Sequence, residues 1–490
     1  MATEMPEFTA ESLATEHERI GTAVTDLIVE YVGTLDTAPI CSPATPAELI
    51  ELFAGPLPEA GADAEVVLRT LQEHVVQHAM NISSPRYFGL FNPAPLPLAV
   101  WVDALASALN QNGAGWRQSP SVSALEACVL RWLCELIGYG ESGFGTLTSG
   151  GSEANLIALK CARDAAALAA SARGLTDTAG QLRVYASEQC HYSLVKSVDI
   201  LGIGRENLRK IDTDERFRVR VDALRAAIEQ DRTAGYRPCC VVGVAGATST
   251  GAVDPLDELA DLAEEFGVWY HVDAAYGGAL AFSAAHRAVL QGIGRADSVT
   301  LDPHKWMFVP FACGALLTRS GTKVLRDAFD STPEYLSERR PDDGSLDFFR
   351  YGQLGTRRAN ALKLWAAFCS LGRRGYQQLI ERQLALTRDL AAQLGALDDF
   401  QLVGDVQTAV CCARFLPAAV RDAAPQVQDD LQHALQQRIE HSGQAWIATT
   451  VLDGRRALRI NINSILTQRH HVDELAALLR DEGRRLVAGD

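Results

Sequence analysis

The sequence predicts an α/β protein built on an open, mostly parallel sheet with helices on both faces. Two observations carry this. Between about residues 120 and 320, short apolar runs alternate with helical stretches, the pattern of strands and crossover helices in turn. The runs themselves ("LRVYAS", "CCVVGVAG", "WYHVDAA", "DSVTLD") are near-continuous rather than alternating in polarity, as strands buried on both faces are. Ligands of such sheets bind outside the carboxyl ends of the strands.

In chain order, helical periodicity covers 12–32 and 62–80, separated by the Pro/Ala-rich "TAPICSPATPAELIELFAGPLPEAGAD". This front section, to about residue 90, is too short and broken to hold a core of its own and is expected as a helical arm. Helices are expected at 121–138 and 152–172, then strand "LRVYAS", then helices 192–202 and 220–231. Strand "CCVVGVAG", helix 255–266 and strands "GVWYHVDAA", "ADSVTLD" and "CGALLTR" complete the alternation. Residues 330–350, "DSTPEYLSERRPDDGSLDFFR", are polar and turn-rich and read as a mobile loop. Helices follow at 358–370 and 374–395, and the tail from about 397 reads strand, strand, helix, strand, strand, helix. The expected division is an arm over 1–90, a large α/β domain over 91–370 and a small α+β domain over 371–490, in line with about 100–200 residues per domain for a chain of 490.

Composition excludes several functions. The net charge of −16, from 45 basic and 61 acidic residues, with arginine pairs scattered rather than massed, argues against a nucleic-acid or anionic-membrane surface. The 11 cysteines show no repeated C-x-x-C spacing, so reduced core thiols are expected and no structural metal. The start of the chain, "MATEMPEFTAESLATEHERI", is acidic and polar. It has no signal-like apolar segment, no later run reaches about 18 apolar residues, and a cytoplasmic protein without membrane contact is expected.

Four motifs fall at element ends. In "TLTSGGSEANLIALKCARD", small residues around Gly151 and Ser152 open a helix, and free N–H groups there suit an anion. In "WYHVDAAYGGAL", Asp273 closes an apolar strand. In "DPHKW", Lys305 interrupts two apolar runs; an amine drawn out of water commonly ends neutral or chemically reacted. In "SEQCHYSLVKSVDILGIG", His191 follows a strand and opens a helix. Singly, a helix cap, a turn carboxylate, a lysine reaching to the surface and a structural histidine account for each. Together they supply what pyridoxal 5'-phosphate requires: a phosphate cradle, an amine for its aldehyde, an acid for its ring nitrogen and an aromatic ring for its face.

The ordered set "SGGSEAN", "QCHYS", "HVDAAYGG", "DPHKW" and "TRRANALKLW" resembles the group II pyridoxal-phosphate decarboxylases, the family of aromatic-L-amino-acid, tyrosine, histidine and glutamate decarboxylases, over about residues 80–415. The resemblance implies fold type I of such enzymes and a homodimer with active sites at the interface. It implies Lys305 as the Schiff-base lysine, Asp273 on the pyridine nitrogen, Ala275 against the ring and His191 on its other face. Gly151 and Ser152 would hold the phosphate, with Ser298 and Asp302 nearby, Thr248 beside the cofactor and His304 supporting the lysine. Tyr335 matches the loop tyrosine that returns a proton to the substrate. In "RYFGLFNPAP" the family's substrate residues are only partly matched, which leaves Phe91 and Asn92 as candidates. The expected reaction converts an L-amino acid with an aromatic or other uncharged side chain to its amine and carbon dioxide. The alternatives are an acidic or diamino acid substrate, a decarboxylating aldehyde synthase, an aminotransferase or lyase of the same fold, and a non-catalytic cofactor-binding dimer.

Overall fold

The apolar runs form the middle of a seven-stranded sheet. The computed structural model describes residues 9–175, 181–331 and 344–489. After a two-residue strand β1 (Tyr87–Phe88), the large sheet is built from β2 (Phe144–Thr148), β3 (Leu182–Ser187), β4 (Leu208–Ile211), β5 (Arg237–Val244), β6 (Trp269–Asp273), β7 (Ser298–Leu301) and β8 (Gly314–Thr318). Their spatial order is β2-β8-β7-β6-β5-β3-β4. The five strands from β7 to β4 are parallel, and β8 runs antiparallel to both its neighbours.

Sequence reading finds the five inner strands and misses β2 and β4, the two edges. The reason is physical. An edge strand is not flanked on both sides, and "FGTLT" and "LRKI" carry the polar or charged residues that edges tolerate. Helix Pro97–Leu109 is also unanticipated; Pro97 sits in its first turn and Asn110 closes it at φ 47°. The expected helix 152–172 ends earlier, as Gly151–Ala166 followed by a turn of helix at Ala170–Arg173. The expected pair 358–370 and 374–395 is one run, Asn360–Gly395, broken at Gly372. With φ 59° and ψ 175°, Gly372 occupies backbone space that side-chain-bearing residues avoid.

A second sheet uses β9 (Phe400–Leu402), β10 (Val410–Phe415), β11 (Trp446–Leu452) and β12 (Arg455–Asn461), in the order β1-β11-β12-β10-β9. The tail therefore has the strand and helix succession that its sequence suggests. The front section also contributes to it: β1 pairs in parallel with β11, and Phe88 is buried in the same apolar cluster as Ile447, Ile460 and Leu479. All eleven cysteines are free. No helix among the described residues is long and apolar enough to cross a membrane, and among them no cluster of ligating side chains could hold a metal ion.

One buried ion pair ties the large sheet to distant chain. Arg357, in "TRRANALKLW", meets Glu126 of helix Pro120–Ile137 with both carboxylate oxygens, at 2.5 and 3.1 Å. It also donates to Gly113 O, Thr146 Oγ1 and Leu147 O. Leu147 N returns a bond to Glu126 Oε1. The pair thereby fixes β2 just before the chain turns into Ser149–Ser152.

Candidate active site

The carboxyl ends of β5, β6 and β7 and the start of helix Gly151–Ala166 converge on a cavity of about 290 Å³, near the lower end of ligand pockets, roughly 300–1,000 Å³. Gly151, Ser152, His191, Thr248, Asp273, Ala275, Asp302, His304, Lys305 and Phe91, ten of the residues singled out from sequence, line it. Residues from 91 to 305 thus meet at one point, because parallel strands deliver their C-terminal loops to one side of the sheet.

The floor is the helix start. The first turn of a helix leaves N–H groups without intrahelical acceptors. Glycine is needed here for closeness: a Cβ on Gly151 would lie 2.8 Å from Asp302 Oδ2 and 3.3 Å from Ala275 Cβ, and one on Gly150 would lie 3.1 Å from His304 Cε1. Lys305 Nζ pairs with Asp302 Oδ2 at 2.9 Å. Asp302 is 2% exposed, and its buried Oδ1 has no partner among the described residues.

On the opposite side Asp273, the last residue of β6, accepts from Ala275 N at 3.2 Å and from Asn155 Nδ2 at 2.8 Å. His191 caps helix Tyr192–Ile200, its Nδ1 accepting from Ser193 N. Burial lowers the pKa of His191 from its ordinary value, as it does that of His304. His304 Nδ1 lies 2.7 Å from Cys313 O and 3.2 Å from Cys313 N, and its Nε2 is 3.8 Å from Asp302 Oδ2. Phe91 forms a wall. It stacks on Tyr276 with ring centres 3.7 Å apart, and Tyr276 stacks on Trp306 at 4.9 Å.

Two sequence candidates are placed elsewhere. Ser298, expected near the phosphate, is the first residue of β7. At about 3.3 Å of rise per residue it lies a strand length from the carboxyl end where the cavity opens. Its hydroxyl instead accepts from Trp269 Nε1 and meets His271 Nδ1. Asn92 does not line the cavity although its neighbour Phe91 does. Tyr335 lies outside the described residues.

Three contributors were not singled out from sequence. Tyr276, the residue that follows the motif's small pair Ala274–Ala275, backs Phe91. Asn155 lies under Asp273. Arg459, from β12, is 3% exposed, donates to Thr248 O and Gly89 O and sits 4.8 Å from the Phe91 ring centre. Its remaining nitrogen, Nη2, has no partner among the described residues. Asn155 belongs to the quoted "SGGSEAN", and its helical spacing from Gly151 signals an inward face. Nothing local marks Arg459.

Comparison with known proteins decides what this constellation is. Residues 46–415 match the pyridoxal-dependent decarboxylase conserved domain. The chain belongs to that family. It is 33% identical, over 91% of each chain, to the aromatic-L-amino-acid decarboxylase of Bacillus atrophaeus. It is 32% identical, over 78% of its length and 73% of the relative's, to an acidic amino acid decarboxylase of Bos taurus. The crystal structure of Oryza sativa TDC with PLP and tryptamine superposes with a TM-score of 0.91, at 29% identity, covering 98% of this chain and 99% of that one. The enzyme is accordingly a pyridoxal-phosphate-dependent amino-acid decarboxylase of fold type I.

The cavity suits that cofactor. A glycine cradle at a helix N-terminus for the phosphate, an amine held by Asp302 for the aldehyde, and the Asp273 carboxylate on the far side for the ring nitrogen form a complementary donor and acceptor set.

The decarboxylase also carries a pH-sensitive element behind the site. His271 is fully buried, and burial pulls its pKa down to about 4. Between about pH 6.5, the free value, and 4, the unfolded chain binds a proton that the folded chain refuses. The stability contributed is therefore present above pH 6.5 and lost as pH falls toward 4. Going from pH 7 to pH 5, urea denaturation should show the parent enzyme losing about 2 kcal/mol more than His271→Asn. Equal losses would place the acid sensitivity elsewhere.

Proposed function

We propose that this decarboxylase converts an aromatic L-amino acid to its amine. The observation that carries the choice of substrate is the wall: Phe91, held flat by the Tyr276–Trp306 stack, faces the cavity beside Lys305, whose Nζ is 5.8 Å from the Phe91 ring centre. An acidic side chain would need a cation there. Among the described lining residues Lys305 is the one lysine, arginine being absent, and Lys305 is committed to Asp302 and the cofactor. Arg459 is screened by Phe91 and Thr248.

Pyridoxal phosphate, when bound, offers an aldehyde for the substrate's amine and a ring that accepts the electron pair left as carbon dioxide departs. The roles of the protein's own groups follow from their places. Gly151 and Ser152 present backbone N–H groups to the phosphate. Lys305 yields its position to the substrate amine and reclaims it after product release. Asp273 holds the proton on the ring nitrogen, while His191 and Ala275 bracket the ring. Thr248 closes the rim, with Arg459 behind it. Asp302 and His304 orient Lys305. Tyr335, whose part rests on the family resemblance and not on its place, would return a proton to the substrate carbon.

The test is a panel of L-amino acids assayed for carbon dioxide, amine, aldehyde and peroxide. The expected result is amine without peroxide, and kcat/KM for an aromatic substrate at least about a hundredfold above that for glutamate, because a carboxylate set against Phe91 loses its water without gaining a partner. A preference for glutamate or a diamino acid would overturn the substrate assignment, and stoichiometric peroxide would replace the amine with an aldehyde.

A further inference from the structure

We propose that Asn155 is a positioning residue for the decarboxylation. Its single side-chain amide holds both the Asp273 carboxylate and, through Ser193, the His191 imidazole in their working orientations. This rests on the reading of Asp273 and His191 as cofactor contacts.

The geometry leaves the amide one way round. Asn155, 1% exposed, places Nδ2 at 2.8 Å from Asp273 Oδ2, and a carboxylate oxygen there requires a donor. Asn155 Oδ1 must then accept, and two donors meet it: Thr300 Oγ1 at 2.8 Å and His271 Nε2 at 3.0 Å. Facing the Asn155 oxygen, His271 Nε2 is placed to donate, and its Nδ1 lies 2.9 Å from the Ser298 hydroxyl and 3.1 Å from the Ser298 carbonyl oxygen. Ser298 Oγ in turn accepts from Trp269 Nε1 at 2.9 Å. Indole nitrogen can only donate, which takes one lone pair of the Ser298 hydroxyl and leaves its hydrogen free for His271 Nδ1; the direction of the row is set at the other end, by the Asp273 carboxylate.

The second hydrogen on Asn155 Nδ2 runs the other way, to Ser193 Oγ at 3.0 Å. Ser193, having accepted, donates its own hydrogen to His191 Nδ1 at 2.8 Å. The Ser193 backbone N–H reaches the same nitrogen. Nδ1 of His191 is thus an acceptor, and its ring proton belongs on Nε2. Two donors and two acceptor positions of one amide are all used, in a network whose members are almost entirely buried. Turning the amide over would set its oxygen against Asp273 and its nitrogen against two donors, stranding buried groups on both sides. The acid at the ring nitrogen and the imidazole at the ring face are in this way oriented by the same residue, which also lines the cavity beneath them.

The experiment uses holoenzyme with 15N-labelled histidine, reading the ring nitrogen shifts of His191 and His271 beside kcat and KM. In Asn155→Asp an oxygen replaces Nδ2. The expected result is a kcat lowered about tenfold to a hundredfold, the range found when a group orienting a reacting residue is lost, with KM changed less than about threefold. The His191 Nδ1 shift should move toward that of a nitrogen with one fewer hydrogen-bond donor, because Ser193 can turn its hydrogen to the new carboxylate and only the Ser193 backbone N–H then reaches Nδ1, while His271, still donating to Oδ1, keeps its pattern. Ser193→Ala should move the His191 Nδ1 shift alone, since the hydroxyl is lost and the backbone N–H of residue 193 stays, with a smaller fall in kcat. It also carries the test if Asn155→Asp does not fold. Wild-type His191 shifts in Ser193→Ala, or wild-type kcat and shifts in Asn155→Asp, would overturn the proposal. Asp273→Asn separates the two readings: an undiminished kcat there would remove Asp273 from the ring nitrogen, whereas the histidine shifts judge the Asn155 network by themselves.

Discussion

Lys305→Ala will fold, retain the cavity and turn over substrate on the order of 10⁴-fold more slowly or worse, the scale of losing a covalently acting residue. Lys305 is positioned for that chemistry. It follows the carboxyl end of β7, its Nζ is 2.9 Å from Asp302 and its side chain is 20% exposed. It reaches the space between the helix Gly151–Ala166 cradle and Asp273. After borohydride reduction, the parent enzyme should carry the cofactor's mass on the peptide containing residue 305, and the variant should not. The substitution also leaves the Asp302 carboxylate, already unpartnered at Oδ1 among the described residues, without its cation. Some stability is therefore lost, and activity must be read well below the melting temperature of the variant. Repeated turnover at a rate near that of the parent would remove Lys305 from the reaction.

Glu126→Ala should lower the unfolding free energy by about 3–5 kcal/mol, the cost of breaking a buried ion pair by removing one partner. The side chains of Arg357 and Glu126 are 7% and 2% exposed. Deleting Glu126 leaves the guanidinium with three neutral acceptors, Gly113 O, Thr146 Oγ1 and Leu147 O, and strands Leu147 N as well. Because β2 leads directly into the phosphate cradle, cofactor affinity should fall together with stability. Glu126→Gln, which keeps the shape and one acceptor oxygen, should lose less. Urea denaturation of the holoenzyme measures both, and a loss under about 1 kcal/mol for Glu126→Ala would show that the pair contributes little beyond packing.

The site was legible from sequence wherever function depends on a residue type at the end of an element. Asp273 closing an apolar strand, Lys305 between two apolar runs, and Gly151–Ser152 opening a helix are local patterns. Their neighbours in sequence show where each element stops. Ser298 shows where this logic fails. It lies in the same apolar run as Asp302, but it begins the strand that Asp302 follows, so four residues of extension separate it from the cavity. Phe91 and Asn92 are adjacent, yet of the two only Phe91 lines the cavity. The edge strands β2 and β4 escaped a reading tuned to buried, unbroken apolar runs.

Alternation of strand and helix, the order of the motifs and the kind of chemistry were determined by the sequence alone, because period and punctuation act over a few residues at a time. Which groups touch was decided only by the tertiary structure. Asn155 meets His271 across 116 positions and Thr300 across 145, Arg357 meets Glu126 across 231, and β1 joins a sheet made by the other end of the chain. Such pairings have no local signature. They arise when a sheet and its covering helices are packed at fixed spacing, which brings together side chains whose only common property is the height and face at which each leaves its own element.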